Sequence, residues 1–388
     1  MNDWKRNALD KLTTPFYVFD TDAAARRAAD LRRALPAGVK LCYAVKANPF
    51  LAQAMEAVTD HLEVCSPGEF RICERAGVDL SKVVLSGVYK APADVEYVVS
   101  RYGGTLTYTA ESPAQWALLG EMAARYRTKL PVLLRLSNGS QFGMDGADIL
   151  RLVGEAHPWL EPVGLHYFTG TQKKKTRRVL RELDELDDFL LRLETELGWT
   201  PRRLEYGPGL PVSYFDGEED AAPDIVTALA RKLQELRWQG EVTLEMGRYF
   251  AACSGTYATR IVDVKHNLGA DYCIVDGGIH QVNYYGQLLA TKRPPVSCVP
   301  ERDGEKKNYT VCGALCTTND ILLKEFPLVE PKIGDSLLFE MTGAYSPLEG
   351  IALFLSRDLP QVALYSEKDG LRLVRGAIPT DPLNGVNK

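Results

Sequence analysis

Four short segments of this sequence place reactive or anion-binding residues directly after small apolar runs. The first segment contains Lys46, where scarce water would lower the pKa of the side-chain amine and leave it able to form a Schiff base. A lysine that reaches from the rim of a fold into solvent gives the same pattern. The position of Lys46 therefore leaves both interpretations open.

The other three segments carry an imidazole, a glycine turn and a pair of opposite charges. His166 could stack on a flat ring or move a proton, although a lone histidine is more often a satisfied core residue. Gly207 and Gly209 flank a proline in a turn whose backbone could approach a phosphate, which is a weak signal alone. Glu245 and Arg248 could bind a protonated ring nitrogen and a phosphate, or could form an internal salt bridge.

These segments belong to a repeated pattern of short β-rich runs separated by amphipathic helical stretches. Eight such runs occur, at residues 40–44, 61–65, 83–86, 106–109, 131–136, 163–167, 203–206 and 242–246. Their spacing leaves room for one strand and one helix each, so we predict a (β/α)8 TIM barrel, with an open doubly wound sheet as the alternative. Chemistry in such barrels collects at the C-terminal ends of the strands, where all four segments lie.

The pattern changes after Arg248, where short alternating runs punctuated by Gly and Pro replace the helical periodicity. These runs are residues 256–264, 272–275, 308–311, 336–339, 361–365 and 372–374. They predict a C-terminal, mostly antiparallel β domain, and the early run 16–20 is expected to pair with it. We therefore predict a barrel over residues 21–248 and a β domain from residues 1–20 and 249–388. The polar stretch 294–308 is predicted to be a surface loop.

Composition excludes several classes of protein. Hydrophobic content of 45% and charged content of 25% indicate a globular chain. A net charge of −5 favours neither nucleic acid nor an anionic membrane as partner, and the basic run 173–175 is expected to be a solvated loop. No membrane span or signal peptide is visible, so a cytoplasmic location is expected. Eight scattered cysteines lack zinc-type spacing, so we expect reduced thiols and no metal.

Taken together, in this order on one barrel, the four segments specify pyridoxal 5′-phosphate. Lys46 would take the aldehyde of this cofactor, and His166 would cover one face of its ring. Glu245 would pair with the ring nitrogen, which makes the ring an electron sink. The glycine turn and Arg248 would hold the phosphate.

With these motifs the sequence resembles the fold-type III pyridoxal-phosphate decarboxylases, the family of diaminopimelate, ornithine and arginine decarboxylases. The resemblance extends from Thr14 to about Tyr345 and implies an alanine-racemase-like barrel with a β domain. The matching segments are residues 43–48, 63–69, 165–172, 207–209, 245–248, 312–320 and 343–345.

The resemblance implies a role for each of these residues. The implied catalytic residues are Lys46, His166 and Cys316, with Cys316 as proton donor to the substrate α-carbon. The implied cofactor-binding residues are Lys46, Glu63, His166, Thr171, Gly207, Gly209, Glu245, Gly247, Arg248 and Tyr345. The implied substrate-binding residues are Thr317, Asp320 and Tyr345. The family also implies a homodimer, in which Cys316 and Tyr345 of one chain reach the cofactor of the other.

Two departures from the family pattern concern the substrate. Thr317 occupies the position at which the family usually has an acidic residue that binds a distal amine of the substrate. The arginine that binds a distal carboxylate in diaminopimelate decarboxylases is absent between Asp276 and Leu289. A neutral Thr317 cannot pair with an ammonium group, and a missing arginine removes the fork that binds a carboxylate. The combination of residues 141–145, the Thr-Gly-Thr-Gln segment 169–172 and the Cys-Thr loop 316–317 resembles branches of the family in secondary metabolism. Those branches decarboxylate siderophore intermediates or an aminoacyl group tethered to a carrier protein.

The sequence therefore predicts a decarboxylase that removes the α-carboxylate of an amino acid or amino-acid-like substrate, free or carrier-bound. One alternative is an alanine-racemase-like enzyme, which would need a tyrosine base in place of the Cys316 loop and would release no carbon dioxide. Another is a non-catalytic homologue that binds a partner protein, as antizyme inhibitors do. Loss of Lys46 or Cys316 would be the signature of such a homologue, and both residues are present.

Overall fold

The computed structural model describes residues 2–386, which form two compact units. Of the described residues, the sheet unit comprises 2–24, 213–219 and 250–386. The barrel unit comprises Ala25–Val212 and Asp220–Tyr249. No feature of the sequence marked 213–219 as part of the sheet unit, and the domain boundaries after residues 20 and 248 stay a prediction.

The sheet unit contains nine paired strands. They are β1 (Phe16–Asp20) and, after the barrel strands β2 to β9, the strands β10 (Gly255–Asn267), β11 (Ala270–Val275), β12 (Val296–Val299), β13 (Lys307–Cys312), β14 (Ile321–Leu328), β15 (Ser336–Glu340), β16 (Gln361–Ser366) and β17 (Gly370–Arg375). Strand β1 runs antiparallel to β10 and parallel to β16, which confirms that the early run pairs with the C-terminal sheet. Apart from β1–β16 and β11–β13, the described pairs are antiparallel, as predicted.

Eight parallel strands close the barrel, which confirms the predicted fold class and shows that the open-sheet alternative is wrong. They are β2 (Lys40–Ala44), β3 (His61–Val64), β4 (Val83–Leu85), β5 (Thr107–Ala110), β6 (Leu130–Arg135), β7 (Leu160–Phe168), β8 (Arg203–Gly207) and β9 (Glu241–Met246). The pairing of β9 with β2 completes the ring. Each of the eight apolar runs is one of these strands, because a strand of a parallel sheet is buried on both faces.

A helix follows each strand from β1 to β9, and further helices precede β1 and follow β17 in the described chain. They are α1 (Asp3–Lys11), α2 (Thr21–Ala34), α3 (Ala52–Glu56), α4 (Pro67–Arg75), α5 (Pro92–Tyr102), α6 (Pro113–Arg125), α7 (Gly146–Glu155), α8 (Thr176–Leu197), α9 (Ala222–Gln234), α10 (Arg248–Ala251) and α11 (Asp381–Asn384). Serine caps and a following proline start α4 and α6, where Ser66 and Ser112 accept hydrogen bonds from backbone N–H groups three residues on. Among residues 2–386, no helix is long and apolar enough to cross a bilayer.

The predicted surface loop 294–308 is wrong in part, because Val296–Val299 forms β12 and pairs antiparallel with β15. The run is only four residues long, and the charged residues that follow it dominate the composition of the stretch. Strand β14 was not predicted either. Its pairing with β13 is irregular, so its side chains do not alternate cleanly, and Pro327 lies on this edge strand of the sheet.

Candidate active site

A lysine flanked by two carboxylates lies at the C-terminal ends of the barrel strands. Lys46 follows β2 in a tight turn, and its Nζ lies 2.5 Å from Oε2 of Glu63 and 3.3 Å from Oε1 of Glu245. Both carboxylates are buried, at the ends of β3 and β9. The Sγ of Cys65 is 3.5 Å from the same nitrogen, and burial raises the pKa of this thiol. Cys65 received no role from the sequence, although it lies inside a matched motif.

His166 completes this cluster from the end of β7. Its Nε2 lies 2.8 Å from Oε2 of Glu245, and its buried Nδ1 has no hydrogen-bond partner among residues 2–386. Burial alone would raise the pKa of the Glu245 carboxyl, but the Lys46 ammonium and the bond to His166 hold that pKa well below its usual range. Both interactions therefore favour the ionised form of Glu245. The three side chains of Glu63, His166 and Glu245 could also hold a metal ion by their spacing, but the Lys46 ammonium occupies the position beside both carboxylates.

Three glycines are required where the strand ends pack together. A Cβ on Gly207 would lie 2.1 Å from the ring of Phe168, and one on Gly247 would lie 2.7 Å from Cβ of Ala47. Gly209 has a φ of +63°, and a Cβ there would lie 2.2 Å from the carbonyl oxygen of Gly170. The loops after β7 and β8 thus approach each other closely at Gly207 and Gly209, whereas Gly247 lets the loop after β9 approach the turn after β2. The bare backbone of these glycines suits an anionic group.

A buried network supports the Gly207–Gly209 turn from below. The Nζ of Lys173 lies 2.6 Å from Oε2 of Glu182 and 3.4 Å from the carbonyl oxygen of Gly207, and its backbone N–H donates to the Gly209 carbonyl. The prediction of a solvated loop at 173–175 is therefore wrong for Lys173, which is 3% exposed. The reason is a buried carboxylate nine residues further on in α8, which sequence proximity does not reveal.

Glu182 is the centre of this network. It also accepts hydrogen bonds from the hydroxyls of Thr169 (2.6 Å) and Tyr206 (2.7 Å). Burial opposes its charge, but Lys173 and Thr169 hold the pKa of Glu182 below its usual value. The pair joins α8 to the loops after β7 and β8. Neither residue was predicted to act at the site.

The remaining predicted cofactor residues of the barrel unit lie in the same loops. Thr171 is half-buried in the loop after β7, next to Gln172, whose side chain bonds to both backbone groups of Val212. Arg248 is buried at the start of α10, directly after Gly247. Their contacts with a cofactor stay predictions.

In the sheet unit, the loop that carries Cys316 is held by a buried carboxylate. Asp320 accepts hydrogen bonds from the backbone N–H groups of Ile279 (2.8 Å) and Leu315 (2.7 Å). Cys316 itself is exposed and Thr317 is half-buried. These contacts favour a positioning role for Asp320, whose assignment to substrate binding stays a prediction.

Tyr345 lies in a strained backbone conformation, with a φ of +65°. Its carbonyl oxygen accepts from the N–H groups of Leu348 and Glu349, which closes a tight turn. A bulky residue rarely adopts the left-handed conformation, and the cases that occur are concentrated at functional sites. Its roles in cofactor and substrate binding stay predictions.

Comparison with known proteins identifies the family. A sequence model of one protein family matches residues 16–343. The family is described as pyridoxal-dependent decarboxylase, C-terminal sheet domain. The chain belongs to this family. This chain is 25% identical to an L-glutamyl-(BtrI acyl-carrier protein) decarboxylase of Niallia circulans. The alignment of 397 residues covers 94% of this chain and 91% of that protein. A diaminopimelate decarboxylase of Pseudomonas aeruginosa is 29% identical to this chain over 360 residues, which cover 87% of this chain and 84% of that protein.

Solved structures share the fold of this decarboxylase. The crystal structure of Helicobacter pylori diaminopimelate decarboxylase complexed with L-lysine superimposes with a TM-score of 0.83, at 23% identity and with 98% of both chains covered. The chain is thus a pyridoxal-phosphate-dependent amino acid decarboxylase similar to the diaminopimelate decarboxylases. The predicted cofactor and reaction class are confirmed.

The residues at the strand ends fit pyridoxal phosphate. An amine beside two buried carboxylates, a Glu245 carboxyl whose pKa is held low and a closely packed glycine backbone suit an aldehyde, a protonated ring nitrogen and a phosphate. When bound, the cofactor supplies an electron sink for the pair of electrons left at the α-carbon. Glu245 would stabilise the positive charge of the protonated ring nitrogen. Its bond to His166 fixes the plane of the imidazole ring.

We expect the substitution Lys173→Met to destabilise the decarboxylase by about 3 kcal/mol, because it leaves the Glu182 carboxylate buried without its cation. Chemical unfolding monitored by circular dichroism measures the change. The double variant Lys173→Met/Glu182→Gln should recover most of the loss, since the amide can still accept from Tyr206. Lys175→Met, at an exposed neighbour, is the control. Wild-type stability in Lys173→Met would show that the buried pair contributes nothing.

Proposed function

We propose that this decarboxylase acts on an amino acid whose side chain is tethered to a carrier protein. The observation that carries the proposal is Thr317, which offers neither an anion for a distal ammonium nor a cation for a distal carboxylate. The absence of arginine between Asp276 and Leu289 in the sequence supports it. So does the relative from Niallia circulans, whose substrate is an acyl-carrier protein that bears L-glutamate.

The chemistry of decarboxylation restricts how such a substrate is joined to its carrier. Loss of the α-carboxylate requires that this group and the α-amine be free, so the carrier must be attached through the side chain. Glutamate linked through its side-chain carboxyl meets this requirement and presents a neutral thioester where free amino acids carry a charge. A neutral side chain such as that of Thr317 suits this uncharged distal group.

The proposed mechanism combines two residues of the barrel unit, Lys46 and Glu245, with Cys316 of the sheet unit. Lys46 holds the cofactor until the substrate amine replaces it, and Glu245 keeps the ring nitrogen protonated. Carbon dioxide leaves, and its bonding electron pair stays with the α-carbon. The Cys316 thiol gives its proton to that carbon, and the exposed thiolate regains a proton from solvent.

The proposed assembly is a homodimer. In it, Cys316 and Tyr345 of one chain act at the cofactor bound to Lys46 of the other, as the family resemblance implies. Light scattering of the purified enzyme should give the mass of two chains. A monomer with full activity would contradict the shared site.

A screen for carbon dioxide release tests the proposed substrate class. The substrates are meso-diaminopimelate, lysine, ornithine, arginine and glutamate in free form, and glutamate as a side-chain thioester of a carrier protein. We expect the thioester to be turned over with a kcat/KM at least about a hundredfold above any free amino acid. Efficient turnover of meso-diaminopimelate would overturn the proposal. Chiral analysis of unreacted substrate separates decarboxylation from racemisation.

A further inference from the structure

A broad groove lies in the sheet unit beside Thr317. It encloses about 1010 Å³, at the upper end of the range of about 300–1,000 Å³ for small-molecule pockets. A free amino acid would fill a small part of it. The groove therefore has room for a substrate with a long extension.

The floor of the groove is one face of three adjacent strands. Tyr272 lies opposite Thr310, and Ile274 lies opposite Cys312, in the parallel pairing of β11 with β13. Because side chains two residues apart share a face, these four residues point to the same side of the sheet. Tyr272 and Thr310 bring hydroxyl groups to this floor, and Ile274, with Ile321 and Leu323 of β14, brings apolar groups. Such a surface suits a flexible chain of methylene and amide groups.

One end of the groove is the loop that carries the proposed catalytic thiol. Leu315, Thr317 and Thr318 line this end, and Cys316 lies between them in the chain. A substrate whose reacting carbon is near Cys316 can extend past Thr317 into the groove. The groove thus begins at Thr317, the position at which the family usually has a residue that binds a charged distal group.

The rim of the groove is cationic. Lys292, Arg293 and Lys324 line it, with the exposed Glu325 and the buried Asp320 as the acids among the lining residues. Lys292 pairs with Glu218 at 3.4 Å, which leaves Arg293 and Lys324 as the cations available to a ligand. The guanidinium of Arg293 is held at the rim because it donates to the backbone carbonyl of Glu325 (3.0 Å). The whole chain carries a net charge of −5, so this concentration of positive charge is local. It matches an anion at the far end of an extended substrate.

We propose that this groove binds the phosphopantetheine arm that joins a carrier protein to its amino acid, with the phosphate at Arg293 and Lys324. The inference rests on the proposed function, since it needs a tethered substrate and the reacting carbon at Cys316. It adds a binding site for the tether itself. The arm offers the amides and methylenes that the floor accommodates, and the phosphate offers the charge that the rim complements.

The test compares two thioesters of glutamate, one with pantetheine and one with 4′-phosphopantetheine, which differ in the phosphate alone. In the holoenzyme, the variant Arg293→Glu/Lys324→Glu should raise KM for the phosphorylated thioester about tenfold and leave kcat unchanged. KM for the pantetheine thioester should not change. The control Lys368→Glu/Arg372→Glu makes the same change in net charge at exposed positions away from the groove, and it should behave as wild type.

The outcomes separate this inference from the proposed function. If wild type decarboxylates free amino acids and neither thioester, the tethered substrate is wrong and the inference fails with it. If both thioesters react but the rim variant keeps its KM for the phosphorylated one, the groove does not bind the arm. A rim variant that becomes monomeric by light scattering would assign the groove to an interface between two copies and overturn the inference. Should the variant not fold, KM of wild type must rise with salt more steeply for the phosphorylated thioester.

Discussion

Lys46→Ala is expected to abolish the visible absorbance of the bound cofactor and to lower kcat/KM by at least about 10³-fold. Alanine has no amine to bond the cofactor aldehyde. It also leaves Glu63 and Glu245, 2.5 and 3.3 Å from the missing nitrogen, without their cation. Absorbance spectroscopy of the purified protein and carbon dioxide release measure the two effects.

A matched pair of variants separates charge from chemistry at this position. Lys46→Arg keeps a cation beside both carboxylates, but a guanidinium stays protonated and cannot act as a nucleophile, so turnover should again be lost. Lys40→Ala, at the opposite end of β2, should retain both absorbance and activity. Full absorbance and turnover in Lys46→Ala would refute the assignment of this lysine.

Cys316→Ala is expected to leave the cofactor bound and to lower kcat about 10²- to 10⁴-fold, the usual contribution of a positioned proton donor. The thiol is exposed on a loop that Asp320 holds by two backbone hydrogen bonds, so its removal should not disturb folding. Rates of carbon dioxide release and of amine formation, compared in one reaction, show whether protonation has become slow or misdirected.

The control for this prediction is Cys253→Ala, which removes the other thiol that is exposed among residues 2–386. Its kinetics should match those of wild type. Unchanged kcat and unchanged product in Cys316→Ala would remove the proposed proton donor from the mechanism.

The barrel was predictable from the sequence because each of its parallel strands is buried on both faces and reads as an apolar run. Strands β12 and β14 were not, for different reasons. The Val296–Val299 run is half-buried beside a charged segment, and the alternation of β14 is broken where its register with β13 shifts. In both cases the pairing partner, rather than the local pattern, determines that a strand forms.

The positions of Lys46, His166 and Glu245 were predictable because one rule brings them together, whereas Glu63 was assigned through the family resemblance alone. All four residues lie at the C-terminal ends of barrel strands, and those ends converge at one edge. The ion pair of Lys173 with Glu182 follows no such rule, since it depends on where α8 packs. The basic run 173–175 therefore resembled a solvated loop.

Chemical trapping of the cofactor tests the central claim most directly. Borohydride reduction of the holoenzyme, followed by digestion and peptide mass mapping, identifies the lysine that the cofactor is bonded to. Lys90 is the competing candidate, because burial lowers the pKa of its amine to about 8. We predict a phosphopyridoxyl group on Lys46 alone; a label on Lys90, on Lys173 or on no lysine would contradict the account.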